Sequence, residues 1–201
     1  MKTFFTATIA SALLAGIAAA GTVNFSNFAS TWEIQASGTP IKGGFVAVGT
    51  GSGIDFGDPA AAQTALAANF TQFGDATDFG GEPAFGLSGF FSGVASGDGG
   101  SADFSGKPIW LVGGDGSGIA DSSHLFVIDT GATFEADAPL FAASVDVNSG
   151  TPALGAAGGT AVNAGVAGAF QAVPVGVVIP EPGVSVLALF AAGFLALRRR
   201  R

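Results

Sequence analysis

The chain contains no cysteine, which excludes disulfides and thiolate metal sites and leaves stability to packing. It has one histidine, His124, too few for a protein-only zinc site, which draws on several nitrogen or sulfur ligands. Positive charge is nearly missing from the middle of the chain. Between Gly21 and Ile179 only two basic residues, Lys42 and Lys107, stand against fourteen acidic ones, a net charge of −12. Such a surface repels polyphosphate, so nucleic acid is not expected as a partner. Dispersed acid of this kind serves solubility. The nucleophile-elbow pattern G-x-S-x-G is also absent, and Gly106-Lys107 is followed by Pro108 where a phosphate loop has Ser or Thr.

What the chain does have is concentrated at its ends. Met1-Lys2 gives a short basic start, Phe4 to Ala20 an apolar stretch, and Ala18-Ala19-Ala20 a small-residue site. Together they predict a secretory signal peptide over residues 1–20, cleaved between Ala20 and Gly21, with Gly16-Ile17-Ala18 as the alternative site. At the other end Pro180-Glu181-Pro182 precedes the uncharged run Gly183 to Leu197, and Arg198, Arg199, Arg200 and Arg201 follow. Fifteen helical residues span roughly 22 Å at 1.5 Å per residue, short of a hydrocarbon core of about 30 Å. Arginines that snorkel to the headgroups close part of that gap. Their charge should stay on the cytoplasmic side, leaving the Pro-Glu-Pro segment at the outer face. Two prolines resist helix, so that segment is expected to be extended and open to a processing enzyme.

This tail resembles the PEP-CTERM sorting signal of Gram-negative bacteria that make exopolysaccharide. Pro180, Glu181 and Pro182 match its signature, 183–197 its helix and 198–201 its basic cluster, in order and spacing, over about a tenth of the chain. The resemblance implies recognition by an exosortase, a membrane-embedded cysteine transpeptidase, and removal of the helix near the motif. The inner membrane is then a transient anchor, and the destination is the outer surface or the extracellular matrix, with exopolysaccharide as a candidate associate. The body is also similar to small exported members of that family, through Gly44-Phe45-Val46-Ala47-Val48-Gly49 and Gly106-Lys107-Pro108-Ile109-Trp110-Leu111. Those members have no assigned activity, and they imply one β-rich domain.

Along the body, Trp32, Ile34 and Ala36 alternate with Glu33, Gln35 and Ser37, while 45–48, 109–112, 125–128 and 140–147 are short runs rich in Val, Ile, Phe, Leu and Ala. Glycine clusters at 43–44, 49–53, 97–100 and 113–118 read as turns between them. The expected fold is therefore mainly β over 21–147, a small sandwich-like or curved-sheet domain. One helix interrupts it. Asp58 is placed to cap it with Pro59 in the first turn, and Leu66, Phe70 and Phe73 fall at i, i+4 and i+7 before Gly74. From 148 to 179 the body has no charge and is dominated by Gly, Ala and Val, which predicts a flexible spacer containing at most a last strand near 162–173.

No motif in the body specifies a reaction. His124 follows Ser122 and Ser123 with Asp129 nearby, but a Ser-His-Asp triad requires convergence in space, and an exposed histidine at a loop or strand edge is the expectation. Gly113 to Asp121 resembles one glycine-aspartate calcium repeat, yet its sixth residue is Gly118 rather than Asp and the unit does not recur. A polar hairpin loop is expected there, and Asp98 and Asp103 are read in the same way. The leading expectation is a non-catalytic exported surface or matrix protein without a cofactor. The alternatives are a carbohydrate-binding module using Trp32 or Trp110, although both tryptophans fit apolar strands, and an exported hydrolase.

Overall fold

A computed structural model describes residues 21–28, 32–80, 86–135 and 142–176. Over these residues the protein is mainly β with one helix. In chain order the elements are β1 (Gly21–Ser26), β2 (Trp32–Ala36), β3 (Thr39–Pro40), β4 (Gly43–Thr50), α1 (Pro59–Asn69), β5 (Thr71–Gln72), β6 (Thr77–Phe79) and β7 (Ser92–Gly97). There follow β8 (Pro108–Gly114), β9 (His124–Thr133), β10 (Ala142–Asp146), a 3-10 turn at Val147–Ser149, β11 (Thr151–Leu154), β12 (Ala156–Ala157) and β13 (Gly168–Pro174).

Three apolar runs explain the centre. β4, β8 and β9 are adjacent and antiparallel, with Val48 opposite Leu111 and Val112 opposite Val127. Their side chains alternate between two faces, and both faces are buried, which is why these runs are continuously hydrophobic. Val46, Val48, Ile109, Leu111, Phe126 and Ile128 enter one apolar layer. Phe45, Ala47, Val112, Leu125 and Val127 enter the other. A small sheet ordered β10-β1-β7 contributes Val23, Phe25, Ala95 and Val145 to the first layer. The fully buried aromatic side chains of that layer are phenylalanines, and the chain has no tyrosine, so no phenolic hydroxyl there needs a partner. Phe73, Phe104 and Phe134 form a triangle with centroids 4.9 to 5.1 Å apart, a geometry in which each pair adds about 0.5–1.5 kcal/mol beyond burial.

The helix covers the second layer. Asp58 caps it, its side chain accepting from the backbone N–H groups of Ala60 and Ala61, with Pro59 as the first residue. Leu66 and Phe70 pack into the layer beneath it. The expected i+7 partner is corrected: the helix ends at Asn69, Phe70 is extended, and Phe73 lies in the opposite layer. β5 intervenes and turns the chain so that the Phe73 N–H bonds the Val48 carbonyl at 2.8 Å.

Two further expectations change. Glycines 113 and 114 are strand residues of β8 rather than part of a turn. A Cβ on Gly113 would sit 2.5 Å from the Phe126 ring and 2.9 Å from the Phe45 carbonyl, so the glycine admits a close ring contact. The spacer expectation over 148–176 is replaced by structure. β13 is an interior strand, parallel to β2 and antiparallel to the start of β9, while β11 and β12 pair with β9 and β13. Within β13 and its end the absence of charge goes with burial, Ala169, Phe170, Ala172 and Val175 each being at most 4 % exposed. Residues 177–179 lie outside the described ones, as do Leu140 and Phe141 of the run that ends in β10. No helix among the described residues is long and apolar enough to cross a membrane.

Candidate functional site

Beside the second apolar layer, the same face of β2 and β13 carries a chain of polar groups. On β2 the apolar side chains Trp32, Ile34 and Ala36 face the inter-sheet core, so alternation turns Glu33 and Gln35 the other way. They do not meet solvent: Glu33 is 0 % and Gln35 1 % exposed. The 158–163 segment folds across them. Glu33 accepts hydrogen bonds from the backbone N–H groups of Val162 (3.1 Å) and Asn163 (2.8 Å) and from Asn163 Nδ2 (2.6 Å). Gln35 Nε2 donates to Glu33 and to the Thr160 carbonyl at 3.0 Å. Gln171 of β13 continues the chain, donating to Gln35 Oε1 and accepting from the Gly38 N–H at 3.2 Å. Burial alone would raise the Glu33 carboxyl, but these donors hold it below its ordinary value.

The chain ends in three side chains from distant parts of the sequence. Ser37 and Gly38 form the two-residue tip between β2 and β3, with φ of +50° and +78°, the left-handed pair of a type I′ hairpin. That tip places Ser37 Oγ 3.0 Å from His124 Nε2. His124 opens β9, and its Nδ1 lies 2.9 Å from Asp115 Oδ2. Asp115 is oriented in turn, its Oδ1 accepting from the backbone N–H groups of Ser123 (2.7 Å) and His124 (2.9 Å). Desolvation would raise the Asp115 carboxyl, but these amides and the His124 ring lower it. With Asp115 accepting at Nδ1–H, Nε2 is left to accept from the Ser37 hydroxyl, the order of a nucleophile, base and orienting acid.

The sequence neighbours of His124 take no part in this arrangement. Ser122 is buried, its Oγ donating to the Gly118 carbonyl and accepting from the Gly116 N–H. Asp129 Oδ1 caps the Gly131 N–H. The expected exposed histidine is corrected as well, since the His124 side chain is 19 % accessible. Local chemistry limits the trio as a catalyst. Ser37 is exposed at a hairpin tip, the adjacent Gly38 N–H is engaged by Gln171, and acyl transfer draws much of its rate from backbone donors aimed at the oxyanion. Three clefts, of about 260, 510 and 350 Å³, are lined by other residues.

The glycine-aspartate segment is a closed loop. Asp115 serves His124, Asp121 Oδ2 accepts from Ser117 Oγ at 2.6 Å, and Gln63 of α1 donates to the carbonyls of Ile119 and Ser122 at 2.8 Å each. Among the described residues no three or more His, Cys, Asp or Glu side chains gather as a metal site. In the second glycine-rich loop Asp98 accepts from the Gly100 N–H, which ties its carboxylate to a turn. Trp110 packs edge-on to Phe56 at 5.7 Å with its Nε1 buried, and Trp32 packs half-buried against the inter-sheet layer.

Of the residues expected to serve export and sorting, Gly21 opens β1 opposite Gly97. Ala20, Pro180, Glu181, Pro182 and Arg198 to Arg201 lie outside the described residues. The buried Glu33 network was not foreseen. Its sequence signal was Gln171, the only polar side chain between Val166 and Ile179. In comparisons with known proteins, no family model, no curated protein and no solved structure matches this chain.

Proposed function

We propose that the protein is an exported, non-catalytic surface or matrix protein, sorted by an exosortase through Pro180-Glu181-Pro182. The tail carries this reading: motif, uncharged fifteen-residue run and four arginines occur in that order at one end of a chain whose other end has a signal-peptide pattern. On this reading a β-sandwich-like body lies between a signal peptide cleaved after Ala20 and a C-terminal transmembrane helix over 183–197. The protein pauses in the inner membrane and is then released to the outer surface, where exopolysaccharide is the expected associate. The acidic, cysteine-free body suits such an environment, because it resists self-association and does not depend on redox state.

The decisive experiment is fractionation with intact-mass measurement. A surface or medium species that begins near Gly21 and ends near Pro180 is expected. A single membrane species still carrying Arg201 would replace sorting with a permanent anchor.

A second reading is favoured by one observation, the Ser37–His124–Asp115 geometry. In an exported hydrolase, Ser37 Oγ would attack an acyl carbon while His124 Nε2 took its proton and passed it to the alcohol or amine whose bond to that carbon breaks, water then releasing the acyl group, with Asp115 orienting the ring. A fluorophosphonate probe separates the two readings. The non-catalytic body leaves Ser37 unlabelled; labelling that disappears in His124→Gln would favour the hydrolase. A sugar-binding face is not favoured at Trp110, whose ring lies under the 51–56 loop, where a Cβ on Gly51 would sit 2.6 Å from Cζ3.

A further inference from the structure

We infer that the pole of the body where β13 ends is a docking face for the processing enzyme, an inference that rests on the sorting reading above. The observation is one of length. β13 ends at Pro174, which pairs with His124, and the Val175 N–H still bonds the Ser123 carbonyl at 2.9 Å. A Cβ on Gly176 would lie 3.7 Å from the Ala60 side chain at the start of α1. Only residues 177–179 separate Gly176 from Pro180. Four Cα-to-Cα steps reach at most about 14 Å even when fully extended, less than the radius of gyration of about 15 Å expected for a body of this size. An enzyme that grips Pro180-Glu181-Pro182 therefore holds this pole against itself.

The alternative is to peel β13 to lengthen the tether. That would strip Val175, which is 4 % exposed, from the second apolar layer and break the pairing of Val173 with Leu125. The pole is thus presented folded. It comprises the Ser123–His124 start of β9, the Ser37–Gly38 tip bonded to His124, the loop from Asp115 to Asp121, and the first turn of α1 at Asp58. Asp58, Asp115 and Asp121 are its charged groups beside His124, and neither lysine of the body lies in these segments. An anionic lipid surface repels such a face. The partner that fits is the extracytoplasmic side of the exosortase, presenting basic or hydrogen-bond-donating groups around its cleft.

The test uses the full chain in its own cells and follows conversion of precursor to mature protein by pulse-chase. Ser123→Lys is the probe, because Ser123 is exposed and engages the fold through its backbone N–H and carbonyl. With native spacing, Ser123→Lys is expected to slow conversion at least fivefold. With a ten-residue Gly-Ser insertion between Gly176 and Val177, it is expected to match the same insertion without the substitution. Asp58→Asn with Asp121→Asn, which keeps the helix cap and the Ser117 acceptor, should behave in the same way. Unchanged conversion of these variants at native spacing, or equal slowing with the insertion, overturns the docking face. Pro180→Ala with Glu181→Ala is the separate control: normal conversion of that variant removes the sorting reading itself.

Discussion

Glu33 shows how one buried carboxylate organises its surroundings. It is fully enclosed on β2, and besides Gln35 its donors come from Val162 and Asn163, about 130 positions later. Glu33→Ala would remove the charged acceptor of Gln35 Nε2, of the Val162 and Asn163 amides and of Asn163 Nδ2, and a hydrogen bond to a charged group is worth about 1.5–3 kcal/mol. A lower midpoint in urea at unchanged slope is the expected result. Acid should act at two places. The carboxyls of Glu33 and Asp115 are both held below their ordinary values in the folded state. A depressed folded value contributes stability above the unfolded value, and that contribution is lost as pH falls through the folded one. Wild type should therefore lose stability on acidification through the carboxylate range. Asp115→Asn should be less stable than wild type at pH 7 and approach it at the acid end, as measured by urea melts across pH. A gap between the two that stayed constant with pH would contradict this assignment. Gly113→Ala tests the close ring contact, since Phe126 and the Phe45 carbonyl leave no room for a methyl. Overpacking of this kind costs about 1–3 kcal/mol.

At the scale of elements, β13 has the largest consequences. It joins the β2–β3 hairpin to the rest of the large sheet. A chain ended at Ser149 would lose β11, β12 and β13, and would expose Ile34 and Leu125 together with the Glu33 carboxylate. Its thermal transition is expected to broaden or vanish by circular dichroism, whereas removal of a mere spacer would leave it intact. The helix is a smaller matter. Asp58→Ala removes the acceptor for two backbone N–H groups and should cost about 1 kcal/mol. Sequence periodicity located β4, β8 and β9 because both of their faces are apolar, and it located the start of α1 because a cap and a proline are local signals. It misplaced the end of the helix: Phe73 continues the apolar spacing but is pulled into the other layer by β5 pairing with Gly49 and Thr50. It also read 148–179 as a spacer with at most a last strand near 162–173, where β13 (Gly168–Pro174) lies, since Gly, Ala and Val serve a flexible linker and a buried strand equally well.

For the whole molecule, two apolar layers on opposite faces of one sheet place the end of β13, the start of β9, the hairpin tip and the start of α1 at one pole. If the tail is read as a sorting signal, that pole leads toward the processing enzyme. Changing Pro180 and Glu181 to Ala should then stall conversion and leave an anchored precursor, read as a band retaining the mass of residues 183–201. Normal processing of this double variant would refute recognition through the motif.

What the sequence determined by itself is what short-range chemistry can encode. The strand-forming runs, the helix cap and the patterns at the two termini each lie within a short consecutive stretch, and the acidic, cysteine-free character of the body is composition alone. What only the tertiary structure decided depends on contacts between residues far apart in the chain. Asp129 and Ser122 sit closer to His124 in sequence, but Asp115 and Ser37 reach it, because strand register and a hairpin tip bring them there. Glu33 is buried because β13 runs parallel to β2 and carries the 158–163 segment over it. Such placement follows from pairing and layer packing, which sum many weak contacts across the chain and leave no local pattern at any one residue.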